Sequence, residues 1–429
     1  MKKMMLWIIA VATLSGSTLC AQDIAGAWQG TLKAGTGLRL ILHITKSDNG
    51  GWSAMLYSID QGPDGIAVRS LTLRGSDFKF SVDPIHGSYE GKLSADSASI
   101  EGTWTQGQSL PLALQRATKE TAWQRDSSPH TISFITVDNN VKLEVLDWGG
   151  SGRPLVLLAG LENTGHVFDK FAPKLSATYH VYGITRRGFG DSSAPSPANG
   201  NYSADRLGDD VLAVVDSLKL KRPVLVGHSI AGEELSSVGT RHPDKVAGLI
   251  YLDAGYSYAY YDRSRGDLIL DSLELRKKLE QLMPGVGPQD PKQLVQELLQ
   301  TSLPQVEKDL QDHQKELQTM PALPQPPSEL PTAAQAIFAG QQKYMDIRDP
   351  ILAIFAVPHD LGPAFKDDPA ARAAAEANDT ARAGAQAKAF ESGLPSARVV
   401  RLPNANHYVF QSNEADVLRE MNAFLSSLP

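Results

Sequence analysis

This chain of 429 residues predicts two fold classes in succession: a small antiparallel all-β barrel or sandwich, then a larger α/β unit on a mostly parallel sheet. Three observations carry that. Residues 23 to 117 hold short runs of β-formers, some strictly alternating, broken by Gly, Asp and Asn, the mark of half-buried strands. From residue 154 onward the apolar runs become continuous and alternate with helical stretches, as strands covered on both faces do. Between 256 and 348 amphipathic helical sequence replaces that rhythm, so a helical insertion separates two strands of the sheet.

Composition narrows the function classes. A chain 42% hydrophobic and 21% charged is globular, and a net charge of −7 argues against a nucleic-acid partner. The N-terminus "MKKMMLWIIAVATLSGSTLCAQD" pairs Lys2 and Lys3 with an apolar core from Leu6 to Leu14, the pattern of a secretory signal peptide over residues 1–21. That core is too short for a membrane span, which needs about 20 residues, so no stable membrane insertion is expected after its removal. Ser17-Thr18-Leu19 lacks the residues a lipobox places before its cysteine, which argues against an anchor at Cys20. Cys20 is the one cysteine; a secreted or periplasmic mature chain would then hold no disulfide and no cysteine nucleophile.

Along the β segment, residues 22–117, "LRLILHI" places Leu38, Leu40, Leu42 and Ile44 on one face. A Gly-x-aromatic pattern recurs in "GAWQG", "GSYEG" and "GTWTQG", where Trp28, Tyr89 and Trp104 read as core. About eight strands at this spacing suggest a barrel or sandwich, and the recurring pattern weakly resembles the first strand of lipocalin-like barrels. "ATKETAWQRDSSPH" is polar and irregular, a linker over 118–129.

The α/β core covers 130–255 and 349–429. A hairpin with Asn139-Asn140 at its turn precedes the runs "PLVLLAG", "HVYGIT", "PVLVGH", "VAGLIYLDA" and "PILAIFAV". The insertion, 256–348, holds "LELRKKLEQLM", "PKQLVQELLQ" and "PQVEKDLQDHQKELQTM", then the Pro-rich "PALPQPPSELP". It is placed to cover a site at the carboxyl ends of the strands, where α/β sheets bind ligands.

The chemistry centres on "VLVGHSIAGEEL", residues 224–235. Catalysis by serine needs an exposed hydroxyl, a base and oxyanion donors. Ser229 follows an apolar strand and opens a helix, and Gly227 and Ala231 are small enough for a sharp turn to close. Of the downstream histidines, His407 in "NANHYVF" directly follows an apolar strand, where a base can reach that turn. His242 and His313 lie in polar surface sequence, and His359 adjoins a candidate acid. Two aspartates end buried strands, Asp360 in "PILAIFAVPHD" and Asp253 in "VAGLIYLDA". Asp360 is preferred because its loop leads directly to the helix–strand unit carrying His407.

The ordered set "LLAGLEN", "TRRGFGDSS", "VGHSIAGEE", "PHD" and "NANHYVF" resembles the α/β-hydrolase fold over residues 130–429. That resemblance implies Ser229, Asp360 and His407 as nucleophile, acid and base, and the backbone N–H groups of Leu161 and Ile230 as the oxyanion hole. It implies a cap in the helical insertion and no metal or cofactor, and the chain shows no HExxH or P-loop signature. The family's usual His-Gly is Ala159-Gly160 here. A serine at 229 excludes the branch with an aspartate nucleophile, such as dehalogenases and epoxide hydrolases. Glu162, His228, Tyr256 and Tyr258 are candidates to line a substrate pocket. The expected activity is hydrolysis of a small-molecule carboxylic ester or related acyl compound. Amidase, peptidase, thioesterase, carbon–carbon hydrolase or hydroxynitrile-lyase-like chemistry, or a lipid- or glycan-binding role with a secondary hydrolase core, are the alternatives.

Overall fold

The computed structural model describes residues 23–33, 38–46, 51–59, 65–123, 128–283, 290–319, 332–362, 365 and 368–429. The expected signal segment with Cys20, and the Pro-rich connection at 321–331, lie outside the described residues. The chain divides into two compact units, one of residues 1–58 and 65–123 and the other of residues 59–64 and 124–429.

The first unit is a single antiparallel sheet of nine strands: β1 (Gly26–Leu32), β2 (Leu38–Lys46), β3 (Trp52–Ser58), β4 (Gly65–Ala67), β5 (Ser70–Arg74), β6 (Asp77–Val82), β7 (Gly87–Leu93), β8 (Ser99–Gln106) and β9 (Gln108–Arg116). Their order is β4-β3-β2-β1-β9-β8-β7-β6-β5, so first and last strands are neighbours in the middle. All nine strands belong to one curled sheet. Its inner face is filled by Trp28, Leu42, Phe78, Phe80, Tyr89 and Trp104, all buried. The polar tips are satisfied: Trp28 Nε1 donates to the Ile24 carbonyl at 2.9 Å and the Tyr89 hydroxyl to that of Leu112 at 2.9 Å. Gly102 is required here, because a Cβ at that position would stand 2.3 Å from the Glu90 carbonyl oxygen on β7.

The second unit carries an eight-stranded sheet: β10 (Thr131–Asp138), β11 (Val141–Asp147), β12 (Pro154–Leu158), β13 (His180–Ile184), β14 (Val224–His228), β15 (Gly248–Leu252), β16 (Ile351–Ala356) and β17 (Ala397–Leu402). The order is β10-β11-β13-β12-β14-β15-β16-β17. The β10–β11 hairpin and its junction to β13 are antiparallel; every later pair is parallel. Helices follow as α1 (Ala172–Leu175), α2 (Ala204–Ser217), α3 (Gly232–Arg241), α4 (Leu268–Glu280), α5 (Pro291–Glu297), α6 (Leu303–Thr319), α7 (Thr332–Gly340), α8 (Pro369–Gly393), α9 (Val409–Ser412) and α10 (Glu414–Ser427).

The continuous apolar runs follow from burial on both faces. Leu225, Leu249, Tyr251, Ala353 and Phe355 pack into one core with α2, α3 and α8. Their alternates Val224, Val226, Ile250, Leu252 and Ile354 pack into a second with Phe168, Phe171 and α10. Successive side chains of a strand point to opposite faces, so both parities must be apolar, at roughly 1.5–3 kcal/mol for each large side chain buried. Between β15 and β16 the chain forms α4 to α7, and Ile337 on α7 packs with Tyr202, Leu207 and Ile230. No helix among the described residues is long and apolar enough to cross a membrane.

Candidate active site

The site lies at the carboxyl ends of β12, β14, β15 and β16 and in the loop after β17. β14 delivers His228 in extended conformation, and Ser229 follows at φ +54°. A non-glycine residue there costs about 1–3 kcal/mol and persists only where surrounding packing enforces it. Gly227 and Gly232 do so. A Cβ at Gly227 would meet Leu235 at 3.0 Å, and one at Gly232 would meet the Ala254 carbonyl oxygen at 2.0 Å. Ala231 is fully buried, so the methyl that departs from the usual glycine is absorbed, while Gly232 provides the close helix–strand approach one residue later. Ile230 stands in the first helical turn, where N–H groups lack an intrahelical acceptor.

The loop after β12 is drawn against this turn. A Cβ on Gly160 would lie 2.8 Å from His228 Nδ1 and 3.2 Å from Ser229 Cβ. Arg186 fixes the loop: its guanidinium donates to the Ala159 carbonyl at 2.8 Å and the Gly160 carbonyl at 3.2 Å, and it pairs with Glu234 on α3. The Gly160 carbonyl and the Leu161 N–H share one planar trans peptide, so gripping the former sets the direction of the latter. Leu161 in turn packs beside Ile230. Arg186 is therefore a strut between the backbone of the loop after β12 and the helix that follows Ser229.

The acid assignment is corrected by the geometry. His407 Nδ1 lies 2.6 Å from Asp253 Oδ2, not against Asp360. Asp253 follows β15 at φ +47°, is fully buried, and also accepts from the Ala356 N–H at 3.0 Å and the Tyr256 hydroxyl at 3.1 Å. Asp360 turns outward, half exposed, and accepts from the Gly362 N–H at 2.8 Å. The reason is parity. A bridge between His359 and Ala405 draws the chain after β16 alongside the chain after β17, and in such an extended segment neighbouring side chains face opposite ways. His359 faces inward, so Asp360 cannot.

His359 is the surprise of the site. Its Nε2 lies 2.7 Å from Asp253 Oδ2, the oxygen that His407 uses, and its Nδ1 lies 3.0 Å from both oxygens of Asp379 on α8. Burial alone would pull the His359 imidazole down, but Asp253 and Asp379 outweigh it and hold its pKa at about 9. Burial pushes Asp253 up, and the hydrogen bonds from His359 and then His407 more than reverse that, to about 2. His359 was legible only as a neighbour of the wrong acid, and Asp379 gave no signal within an alanine-rich helix.

The pocket candidates fare differently. His228 is buried, donates from Nε2 to the His407 carbonyl at 3.1 Å, and lies 4.7 Å from the His407 ring. It is driven to about 3 by burial and by His407, so it is neutral and seats the His407 loop instead of lining a pocket. Tyr256 is committed to Asp253 and His359. Tyr258 is enclosed beside the apolar cluster of Tyr202, Leu207, Ile230 and Ile337, and burial raises its hydroxyl far above the usual range. Glu162 sits exposed at φ +61° on the turn after β12. The sequence reading missed Glu233, one helical turn after Ser229. It is fully buried, neither oxygen has a hydrogen-bond partner among the described residues, and burial and then Glu234 raise it well above the carboxylate range.

Among the described residues, two His/carboxylate groups bring donor atoms within 4.8 Å of one another: Asp253, His359 and His407, and His130, His166 and Asp169. In the first, N···O distances of 2.6 and 2.7 Å are shorter than the edge of about 3.3 Å that tetrahedral bonds of 2.0–2.1 Å imply, so protons bridge them. In the second, His166 presents one nitrogen to Asp169 at 3.2 Å and the other to Glu144 at 3.4 Å, which suits an imidazolium.

Residues 153–414 match the family model of the α/β hydrolase fold, and the chain belongs to that family. It is similar to 2-(acetamidomethylene)succinate hydrolase of Mesorhizobium japonicum, 23% identical over 70% of this chain and 98% of that protein. It also matches fluoroacetate dehalogenase of Burkholderia sp. at 34% identity over 27% of this chain and 38% of the relative. Epoxide hydrolase A of Mycobacterium tuberculosis matches at 33% over 27% and 36%; the chain thus spans little more than a third of these last two. Among solved structures, E-2-(acetamidomethylene)succinate hydrolase aligns over 70% of this chain and 100% of that one, with 20% identity and a TM-score of 0.42.

Proposed function

We propose that the second unit is a serine hydrolase that cleaves a carboxylic ester or related acyl bond through an acyl-enzyme. One observation carries this reading: a serine held at φ +54° on a strand-to-helix turn, beside a loop whose histidine is bound through Nδ1 to a buried aspartate at 2.6 Å. Ser229 attacks the carbonyl carbon as His407 Nε2 takes its proton. The Leu161 and Ile230 N–H groups hold the oxyanion, His407 protonates the leaving group, and water releases the acyl chain. Asp253 stays ionised and orients His407. A serine nucleophile suits acyl transfer, so the activities in the names of the dehalogenase and epoxide hydrolase relatives are not carried over.

Helices α4 to α7 are read as the lid. The packing of Ile337 with Ile230, beside Leu161, Phe189 and Tyr258, supports an apolar acyl pocket under α7. The aromatic filling of the first unit supports a scaffold, with lipocalin-like ancestry proposed from its Gly-x-aromatic strands, over a ligand-holding barrel. Export by the N-terminal signal segment is proposed as well; N-terminal sequencing of the mature protein tests it.

A fluorophosphonate probe tests the nucleophile. Labelling of wild type at Ser229, with Ser229→Ala unlabelled and kcat lowered by about 10⁴–10⁶, is the expected result. Equal labelling of the variant defeats the reading. A panel of p-nitrophenyl esters of graded chain length beside aminoacyl arylamides separates ester from amide chemistry.

A further inference from the structure

Asp253 Oδ2 receives two imidazoles, His407 at 2.6 Å and His359 at 2.7 Å. A ring can donate from both nitrogens only as a cation. His359 has carboxylate oxygens at both, Asp253 on one side and Asp379 on the other, and its backbone N–H also donates to Asp379 at 2.7 Å. Among the described residues, the groups facing it are Asp253 from the end of β15, Asp379 from α8, the Tyr256 hydroxyl at 3.3 Å, and the His407 ring at 6.1 Å. Beyond them Arg382 reaches Asp379 at 4.0 Å from the solvent side. Around His407 stand Asp253, Tyr408 and the neutral His228. The base thus shares its acid with a fixed positive charge.

We propose that His359 is a positioning residue, an imidazolium clamped between Asp379 and Asp253 that draws off part of the Asp253 charge and keeps His407 unprotonated, and so competent as a base, into mildly acidic solution. The inference rests on the serine-hydrolase reading above. Charge near a titrating group acts on its charged form. Two imidazolium ions at 6.1 Å repel strongly enough, at an effective dielectric near 20, to displace a protonation midpoint by about one pH unit or more. Tyr256, bonded to both Asp253 and His359, holds the pair in register. A second imidazole that merely filled space would not need its own carboxylate.

The test is the pH profile of kcat/KM on a p-nitrophenyl ester, run beside the pH dependence of fluorophosphonate labelling, for wild type, His359→Gln and Asp379→Asn. Glutamine keeps a donor toward Asp253 and removes the charge. The expected result is an acidic limb displaced upward by about one pH unit in His359→Gln, with a smaller shift in the same direction for Asp379→Asn. A His359→Gln enzyme that folds and loses rate while its acidic limb stays within 0.2 unit of wild type, roughly the noise of such profiles, overturns the proposal. If His359→Gln does not fold, as read by its thermal melt, Asp379→Asn decides: a shifted limb supports the clamp and an unshifted one rejects it. Wild-type labelling confined to Ser229 with unmoved limbs rejects the role of His359 alone, whereas a Ser229→Ala variant that labels equally rejects the serine-hydrolase reading itself.

Discussion

Two histidine–carboxylate clusters stand in the same α/β unit and use the same residue types to different ends. In one, His166 is bracketed by Asp169 and Glu144, Glu144 accepts from Thr185 at 2.6 Å, and Ser128 ties Trp148 to the Asp169 carbonyl. Both nitrogens of His166 are spent on carboxylates, and the network closes the segment before β10 onto β11 and the turn after β12. In the other, His407 spends Nδ1 on Asp253, stays half exposed, and lies 4.7 Å from the ring of His228, the residue before a serine at positive φ. The lesson is that a His–Asp pair does not by itself make a reactive site. On the proposed serine-hydrolase reading, an uncommitted nitrogen, a strained serine and donor-bearing backbone at a helix start are what set the second cluster apart.

The sharpest way to break this contrast is at the acids. Asp253→Asn is expected to lower kcat by about 10³–10⁴ by disturbing the tautomer and charge on His407, while Asp360→Asn changes it less than about twofold, as for an exposed residue away from the reaction. Steady-state kinetics on one ester reads both, and the reverse order would return the acid to Asp360. Next in size is the strut. Arg186→Met is expected to lower kcat by about 10²–10³ through the loosened Leu161 N–H. It also leaves Glu234 buried without its partner, at about 3–5 kcal/mol of stability, which urea unfolding measures.

The smallest effect separates the clusters by pH. Burial lowers His166, but Asp169 and Glu144 outweigh it and hold it at about 10, against an ordinary value of 6.5. A raised folded-state pKa contributes stability that is complete below 6.5 and is lost as pH rises toward 10, at up to about 1.4 kcal/mol per pH unit for one proton. Urea unfolding at steps across that window should show the decline in wild type and a flatter line in His166→Gln, with kcat/KM of the variant within a few-fold of wild type. A large loss of kcat/KM would place the His166 cluster in the reaction and erase the contrast.

Much of the scaffold was legible because its signals are local. Continuous apolar runs such as "PVLVGH" demand burial on both faces, and "LRLILHI" demands burial on one. The turn at Ser229 was legible because a strand, two small residues and a helix start specify it within a dozen positions. His228 was misread because a residue next to Ser229 can face away from it into the fold, and sequence adjacency does not reveal which way it faces. Glu233 and Glu234 are adjacent in sequence, and only the folded chain buries the one without a partner while Arg186 claims the other.

By itself, then, the sequence determined the α/β sheet and the sharp turn that carries Ser229, since both depend on side-chain period and on residue size within a short window. Tertiary structure alone decided which aspartate meets His407. That choice turns on the pairing of His359 with Ala405, which joins chain segments after two different strands and sets which of two adjacent side chains points inward. It also brought Asp379 from α8 and Arg186 from the end of β13 to the site, across sequence distances over which no local pattern acts.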